Sequence, residues 1–389
     1  MATLDDIEPF LPLAVSSSVI GLGEATHGTR ESFQLKHRLI RLLAERGVLR
    51  TVAFECGLAP GRLIDTYVRF GDGSAREALA RQRYWCWENE EVLALVEWLR
   101  EHNLGLPADE RVAFVGVDVQ RVESGFAELL AGLESSVGDQ NPLASERYPG
   151  ILSEAAAAVR WLIVGKLNAG SPQAGRAVQV LFQAAEWLGT SELRALCRNV
   201  ARYVDVYLNP EHEDGLVMRD EYMAATALEV LEERPGLMVV WAHNEHIAVN
   251  PEYFGTKAMG HHLRSALGDG YLALGMLFGG GSFLARSWEE RATSRIVRFR
   301  VGPAGPVHVE RCFSDFPLGL YVSSALSVSA QAQYRRMLGT LYDHAIEARS
   351  PEEFRIERPI TDFDVVAWLP ETAAAQYIGA EPQLGISSA

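Results

Sequence analysis

Six ionisable side chains in this sequence follow short apolar runs, and their types suit acid/base catalysis. They are Glu24, His27, Glu55, Asp118, His243 and His246. An imidazole can take a proton from water near neutral pH, and a neighbouring carboxylate fixes its tautomer and raises its basicity. Glu24 precedes His27 by three residues, so we expect it to support His27 as a general base. His243 and His246 could then donate to an oxyanion and to a leaving alcohol.

Other catalytic motifs fit the sequence less well. It contains neither the Gly-x-Ser-x-Gly elbow of a serine hydrolase nor a Gly-Lys-Ser/Thr phosphate loop. The stretch from Gly21 begins like a dinucleotide fingerprint, but Thr26 stands where a third glycine is needed, and Glu24 would repel a pyrophosphate. The pair His243-x-x-His246, completed by His27 and Glu55, leaves a zinc site open as an alternative. Metal-free hydrolysis is the favoured interpretation.

The candidate residues follow predicted strands. The main strands are expected at residues 16–23, 48–55, 111–118, 237–242, 271–278 and 362–369, with shorter ones at 296–301, 307–310 and 320–322. Near-continuous apolar strands separated by helices indicate a mostly parallel α/β sheet with helices on both faces. The carboxyl ends of such strands share one edge, so the six side chains are expected to converge there.

Helical spacing dominates the rest of the chain. We predict helices at 4–13, 29–46, 62–69, 75–81 and 90–102, and then at 126–133, 151–167, 174–188, 192–208 and 216–233. Residues 121–234 hold no strand candidate and are interpreted as a helical insertion or subdomain that forms a cleft with the sheet. The α/β catalytic core then comprises residues 1–120 and 235–389, of which 373–389 are expected to be weakly structured.

Composition narrows the function classes. The 389 residues carry a formal net charge of -15, which disfavours nucleic acid and anionic membrane surfaces as partners. The first ten residues are acidic rather than basic, and no apolar stretch is long enough to span a membrane. The four cysteines are scattered and are interpreted as reduced, mostly buried thiols. We therefore expect a cytoplasmic protein with a small-molecule substrate and no cofactor.

Seven motifs in order along the chain make the sequence similar to the erythromycin-esterase-like hydrolases. They are Gly23-Glu-Ala-Thr-His-Gly-Thr-Arg-Glu31, Phe54-Glu-Cys-Gly57, Gly116-Val-Asp-Val-Gln120, Met218-Arg-Asp220 with Met223-Ala224, Trp241-Ala-His-Asn-Glu-His246, Met259-Gly-His-His-Leu263 and Asp362-Phe-Asp-Val-Val-Ala-Trp-Leu369. The resemblance implies an α/β core, a helical part and a deep cleft between them. It also implies a histidine that activates water, without a nucleophilic serine or a required metal.

On motif positions the resemblance makes His27 the general base and Glu24 and Glu55 its supporting carboxylates, and His243 and His246 complete the site. Lys36 falls where macrolide-opening members carry an essential basic residue.

The remaining candidates are assigned to substrate binding: Arg30, Lys36, Asp118 and Arg219. Arg30 could bind an anionic group or pair with Glu31. Arg219 and Asp220 match a family motif and could belong to the functional site, or they could form an ion pair that anchors a helix. Asp118 and Gln120 are expected to contact residues of the site rather than the substrate itself. Three aromatic side chains could line an apolar pocket or pack in the core: Tyr84, Trp85 and Trp87.

The leading hypothesis is a hydrolase that opens an ester or lactone in a bulky secondary metabolite, such as a macrolide, in antibiotic resistance or biosynthesis. Two alternatives stay open at this point. The same cleft could carry out a cyclisation, elimination or acyl transfer, or the protein could bind a natural product without catalysis. A fold of this type does not by itself identify the substrate.

Overall fold

The computed structural model describes residues 10–138, 150–211, 215–250, 257–288, 296–326, 334–356, 360–379 and 385–386. Its strands are β1 (Val19–Leu22), β2 (Leu49–Gly57), β3 (Ala113–Asp118), β4 (Leu237–Trp241), β5 (Tyr271–Phe278), β6 (Gly281–Ser287), β7 (Ile296–Val301), β8 (Gly319–Val322), β9 (Arg335–Arg336), β10 (Leu341–Tyr342), β11 (Arg355–Ile356), β12 (Val365–Leu369) and β13 (Gly385–Ile386).

Seven of these strands form the central sheet, in the spatial order β3-β2-β4-β1-β5-β12-β8. Neighbouring strands are parallel except for β8, which runs antiparallel to β12 at one edge. The mostly parallel α/β architecture predicted from the apolar runs is therefore confirmed. The strand β4 lies between β1 and β2, so the chain returns to the middle of the sheet after a long excursion.

Both faces of the sheet are buried, because successive side chains of a strand point to opposite sides. In β1, Ile20 and Leu22 join one apolar cluster, whereas Val19 joins the cluster on the other face. In β4, Val239 and Val240 divide in the same way. These strands carry no polar side chain to break the run, which is why they read as continuously hydrophobic.

Helices surround this sheet. They are α1 (Leu11–Val15), α2 (Arg30–Glu45), α3 (Leu58–Phe70), α4 (Ala75–Ala80), α5 (Glu90–Leu104), α6 (Phe126–Gly138), α7 (Ile151–Ile163), α8 (Ala174–Ala185), α9 (Ser191–Tyr207), α10 (Arg219–Glu233), α11 (Asn244–Ile247), α12 (Met259–Leu267) and α13 (His344–Arg349). No helix among the described residues is long and apolar enough to cross a membrane.

The helices α6 to α9 have an apolar cluster of their own, formed by residues between Val122 and Leu208. By contrast, α10 buries Met223, Ala224 and Ala227 against the sheet. The division into a core of residues 1–120 and 235–389 and an insertion of residues 121–234 stays a prediction.

Three local expectations differ from the structure. Residues 309–313 form a 3₁₀ helix, in which Val309, Glu310 and Phe313 are buried, rather than the strand expected at 307–310. The strand β6 was not predicted, because Gly279-Gly-Gly281 reads as the end of β5. In the structure β6 begins at Gly281 and pairs antiparallel with β7. These two strands belong to a second sheet, in the order β10-β6-β7-β13.

The third difference is at the C-terminus. The prediction of weak structure is wrong for residues 373–379, where Ala374 and Ala375 are buried and the backbone of Ala375 donates to Gly28. The remainder of that prediction, at 380–384 and 387–389, lies outside the described residues, as do residues 4–9 of the predicted first helix.

Candidate active site

His27 lies in the turn after β1 and is held by a buried carboxylate. Its Nδ1 lies 2.7 Å from Oε1 of Glu24. Since a carboxylate can only accept, Nδ1 carries the hydrogen and Nε2 keeps its lone pair. The second oxygen of Glu24 accepts from Nζ of Lys36 at 2.7 Å and from Nε1 of Trp241 at 3.1 Å. His27 is thereby oriented with Nε2 as a proton acceptor.

Glu24 is completely buried, and burial alone would raise its pKa. The charges of Lys36 and His27 outweigh that effect, so the pKa of Glu24 lies below its ordinary value. Burial lowers the pKa of Lys36 to about 8, against the opposing charge of Glu24. A buried carboxylate needs such a partner, because an isolated one would take up a proton instead. Lys36 therefore keeps Glu24 ionised behind His27.

His246, in α11, is clamped between two carboxylates. Its Nδ1 lies 2.8 Å from Oδ1 of Asp220, and its Nε2 lies 3.2 Å from Oε1 of Glu55. Burial acts to lower the pKa of His246, but the charges of Asp220 and Glu55 raise it to about 10. The ring is therefore an imidazolium at neutral pH, and both of its nitrogens are occupied.

His243 is in the opposite state. Burial lowers its pKa to about 3, and the neighbouring His27 acts in the same direction. The backbone N–H of Glu245 approaches Nδ1 of His243 at 3.4 Å, which assigns the ring hydrogen to Nε2. That Nε2 is buried and has no hydrogen-bond partner among the described residues. His243 thus presents an unused donor, and its ring centroid lies 5.0 Å from that of His27.

Glu55, at the end of β2, connects these groups. Its Oε2 accepts from the backbone N–H of His243 at 2.9 Å, and its Oε1 lies 3.3 Å from Nη2 of Arg219. Burial would raise the pKa of Glu55, but His246, His27 and Arg219 together hold it well below the ordinary value. Arg219 also pairs with Asp118, with Nη2 2.8 Å from Oδ2. The ion pair ties the first turn of α10 to the end of β3.

These residues surround a cavity of about 350 Å³ at the carboxyl edge of the sheet. It is lined by His27, Glu55, Tyr84, Trp85, Cys86, Trp87, Asp118, Gln120, Arg121, Arg219, His243, His246, Arg286, Met337, Gly339 and Thr340. Trp85 and Trp87 both line the cavity and are buried, so the aromatic cluster serves as pocket wall and as core. The predicted convergence of strand ends is therefore present in the structure.

Two of the substrate-binding candidates lie elsewhere. Lys36 is completely buried behind Glu24 and does not line the cavity. Arg30 donates from Nε to Glu91 at 3.2 Å rather than pairing with Glu31, because Glu31 accepts from the backbone of Ala373. Neither position matches the contact with substrate that we expected, whereas Asp118 and Arg219 do reach the cavity.

Sequence reasoning missed several residues of the site. Asp220 orients His246 but was interpreted as a possible partner of Arg219; its place in a motif was the available signal. Trp241 was treated as part of a motif and not as a donor to Glu24. Arg121 and Arg286 carried no local signal, because their position at the cavity depends on tertiary contacts.

No group of three or more histidine, cysteine or acidic side chains in the described part of the chain is arranged to hold a metal ion. Both nitrogens of His246 contact carboxylates, so this ring has no free nitrogen for a metal ion. Nδ1 of His27 is bonded to Glu24, which leaves Nε2 of His27 with its lone pair, and Nε2 of His243 has an unused hydrogen. Both rings line one cavity.

The sequence is similar to that of known erythromycin esterases. A family model described as erythromycin esterase matches residues 44–372, a range that begins after His27. Erythromycin esterase type II from Escherichia coli is 26% identical over 304 residues, covering 70% of this chain and 71% of that protein.

Two solved structures share the fold. A succinoglycan biosynthesis protein superposes with a TM-score of 0.77 at 18% identity, covering 97% of this chain and 93% of that one. An erythromycin esterase mutant in its open conformation superposes with a TM-score of 0.68 at 15% identity, covering 96% of this chain and 95% of that one.

Proposed function

Since the chain belongs to the erythromycin esterase family, and this membership indicates a hydrolase-type function, we propose that it hydrolyses an ester or lactone with His27 as the general base. The observation that carries the proposal is the pairing of His27 and His243. A ring nitrogen fixed as acceptor and a ring nitrogen with an unused hydrogen line the same cavity, on rings 5.0 Å apart.

The proposed reaction begins when Nε2 of His27 takes a proton from water. The water oxygen attacks the ester carbonyl, and the carbonyl electron pair moves onto its oxygen. Nε2–H of His243 donates to this oxyanion, a position in which a fixed donor stabilises charge as it develops. The tetrahedral intermediate then collapses, and His27 returns its proton to the leaving alkoxide, so the products are an acid and an alcohol.

Glu24 and Glu55 support this cycle in different ways. Glu24 accepts from Nδ1 of His27, so it stabilises the imidazolium that forms when His27 takes the proton. Glu55 accepts from the backbone of His243 and from His246, and so fixes the turn that carries the oxyanion donor. His246 is assigned to positioning Glu55, because both of its nitrogens are occupied.

For the substrate we propose a bulky natural product, such as a macrolide, whose ester-bearing part enters the cavity. A volume of about 350 Å³ is at the lower end of the range for small-molecule sites. The rest of a bulky molecule would extend out of the cavity, whose lining includes Tyr84 and Trp85. We also propose that the protein acts in the cytoplasm, in resistance or in biosynthesis.

The test combines a variant with isotope labelling. His27→Ala is expected to lower kcat by at least about a hundredfold, because a positioned general base contributes about 10²- to 10⁴-fold. His262→Ala, on α12 and outside the cavity, is the matched control and should keep the wild-type rate. Hydrolysis in ¹⁸O-labelled water must place the label in the acid product.

A His27→Ala variant with near-normal turnover would overturn the mechanism. Product without label would show a cyclisation, elimination or acyl transfer instead. Stoichiometric protection of a natural product with no product formed would show a binding protein.

A further inference from the structure

Two arginines line the cavity without a carboxylate partner. Arg121 and Arg286 make no ion pair and no side-chain hydrogen bond with the described residues, although both contribute to the cavity wall. Every other charged group there is paired: Arg219 with Asp118 and Glu55, and His246 with Asp220 and Glu55. The two guanidiniums are therefore the uncompensated charges of the site.

Arg286 is brought beside the catalytic turn by β6. The backbone N–H of Leu284 donates to the carbonyl of Gly28 at 3.0 Å, and a Cβ on Gly28 would lie 2.1 Å from the carbonyl oxygen of Leu284. Gly28 follows His27, so this close approach sets the strand against the catalytic turn. Side chains two residues apart on a strand share a face, so Arg286 lies on the same side of β6 as Leu284.

The Nε of Arg286 is buried and has no hydrogen-bond partner among the described residues. Leaving a charged donor without a partner in a buried position is costly, since its hydration is lost and not replaced. Four other arginines have a buried Nε without a partner, but each of them forms an ion pair with a carboxylate (Arg198, Arg202, Arg264 and Arg335), whereas Arg286 forms none with the described residues.

Arg121 is held in an uncommon backbone conformation. Its φ is 55°, in the left-handed region that few residues other than glycine adopt. Its guanidinium lies 5.3 Å from the centroid of the Tyr84 ring, and the hydroxyl of Tyr84 donates to Gln120 at 2.7 Å. The aromatic ring thus supports a guanidinium at the cavity wall, and the strained backbone points to a functional constraint.

The balance of charge in the cavity wall supports the same conclusion. With His27 as the neutral base, four cationic groups (Arg121, Arg219, Arg286 and His246) stand against three carboxylates (Glu55 and Asp118 in the wall, and Asp220, which pairs with His246). The protein as a whole carries a formal net charge of -15. A locally positive cavity in an acidic protein favours an anionic ligand over a neutral one or a cation.

We propose that Arg121 and Arg286 bind a carboxylate or phosphate group that the substrate carries near its scissile ester. A guanidinium presents a planar fork of donors that matches the oxygens of either group. That the anion belongs to an ester substrate rests on the proposed function, whereas anion binding itself does not.

The first experiment measures binding without turnover. Glutarate and inorganic phosphate are added to the wild-type protein at constant ionic strength, with chloride as the reference, and the melting temperature is recorded. Either anion that binds the folded state raises Tm. The rise should be lost in Arg286→Gln and reduced in Arg121→Asn, since asparagine tolerates the left-handed backbone. Arg298→Gln, an exposed position on β7, is the matched control and should keep it.

The second experiment compares two esters, the 4-nitrophenyl monoester of glutaric acid and its neutral methyl ester. The ratio of their kcat/KM values should favour the anionic ester and fall about tenfold to a hundredfold in Arg286→Gln, as for the loss of a charged hydrogen bond. Arg298→Gln should leave the ratio unchanged.

The outcomes separate the two proposals. If neither ester is hydrolysed, the proposed function fails for these esters, and the melting experiment alone decides on the anion site. If neither anion raises Tm more than chloride does, or if Arg286→Gln shows the wild-type rise, the anion site is overturned. A rise with phosphate alone identifies a phosphate-bearing ligand, and a rise with glutarate alone a carboxylate.

Discussion

Two histidines of one short segment are held in opposite protonation states by their neighbours. His246 lies between Asp220 and Glu55, and its pKa is raised to about 10. His243, three residues earlier, faces no carboxylate with its Nε2, and burial lowers its pKa to about 3. The imidazolium of His246 can orient a carboxylate, and the neutral ring of His243 can donate one hydrogen. The division of labour in the proposed reaction follows from this difference.

At the residue scale the ion pair of His246 predicts a pH-dependent stability. The pKa of His246 in the folded protein lies above its ordinary value of about 6.5. Its contribution is therefore complete below about pH 6.5 and is lost as the pH rises toward 10. We expect His246→Gln to lower the free energy of unfolding by about 3 kcal/mol at pH 6, as for other broken buried pairs.

The difference between wild type and His246→Gln should shrink at pH 10, as measured by urea unfolding at both values. His262→Gln serves as the control, because the largest influence on the pKa of His262 is burial, which lowers it, and not a carboxylate. A difference that stays constant from pH 6 to pH 10 would contradict an ionised His246.

Some of the site could be predicted from local spacing, and some could not. Glu24 and His27 are three residues apart in one turn, so their contact follows from the sequence alone. Asp220 and His246 are separated by 26 residues and lie on different helices. Nothing in the local pattern around Asp220 predicts that contact, since it depends on how α10 packs against the sheet. Arg286 was missed because Gly279-Gly-Gly281 reads as a strand end, although β6 begins at Gly281.

At the scale of elements, α11 is too short to be stable alone, because four residues do not complete the costly first turns of a helix. A buried ion-pair network anchors it. Arg335 donates from Nη2 to Glu245 at 2.7 Å and from Nη1 to Asp362 at 3.0 Å, and all three side chains are almost completely buried. Glu245 lies between His243 and His246, so this network fixes both rings.

Arg335→Met is therefore expected to act on stability and on activity together. It leaves Glu245 and Asp362 without their common partner, which should cost about 3–5 kcal/mol of unfolding free energy. We also expect a lower kcat, because α11 would be displaced together with the rings of His243 and His246. Arg264→Met is the matched control, since the pair of Arg264 with Asp364 is partly exposed and should contribute about 1 kcal/mol or less.

Urea unfolding and steady-state kinetics measure both effects. The triple variant Arg335→Met, Glu245→Gln, Asp362→Asn removes the charges as a set and should recover part of the stability. A loss in Arg335→Met no larger than in Arg264→Met would show that the network does not anchor the helix.

At the scale of the whole molecule, the C-terminal stretch joins two walls of the cavity. The carbonyl of Ala373 accepts from the backbone of Arg30, and the N–H of Ala375 donates to Gly28, beside the catalytic turn. The carbonyl of Gln376 accepts from the backbone of Glu90, close to Trp87. The stretch was expected to be weakly structured, but its order depends on these partners, which are far away in the sequence.

Two truncations test this role. Removal of residues 372–389 should destabilise the protein by at least about 4 kcal/mol, since each backbone hydrogen bond contributes about 1 kcal/mol, and should abolish turnover. Removal of residues 380–389 keeps the contacts to both walls and serves as the control. Thermal melts and kinetics compare them. Equal behaviour of the two truncated proteins would exclude a role for residues 372–379.

The position of β4 in the sheet also has a consequence for biosynthesis of the protein itself. Val239 pairs with both Ile20 of β1 and Val52 of β2, so the strand between them is made nearly two hundred residues later. A ribosome that has translated only the first 236 codons has released β1 and β2 without the strand that separates them. Native pairing of β1 must wait for β4 and β5, and meanwhile three strand edges stay open to wrong partners, both edges of β1 and the edge of β2 that faces β4. Premature termination before His246 therefore yields an inactive, aggregation-prone chain rather than a smaller working enzyme.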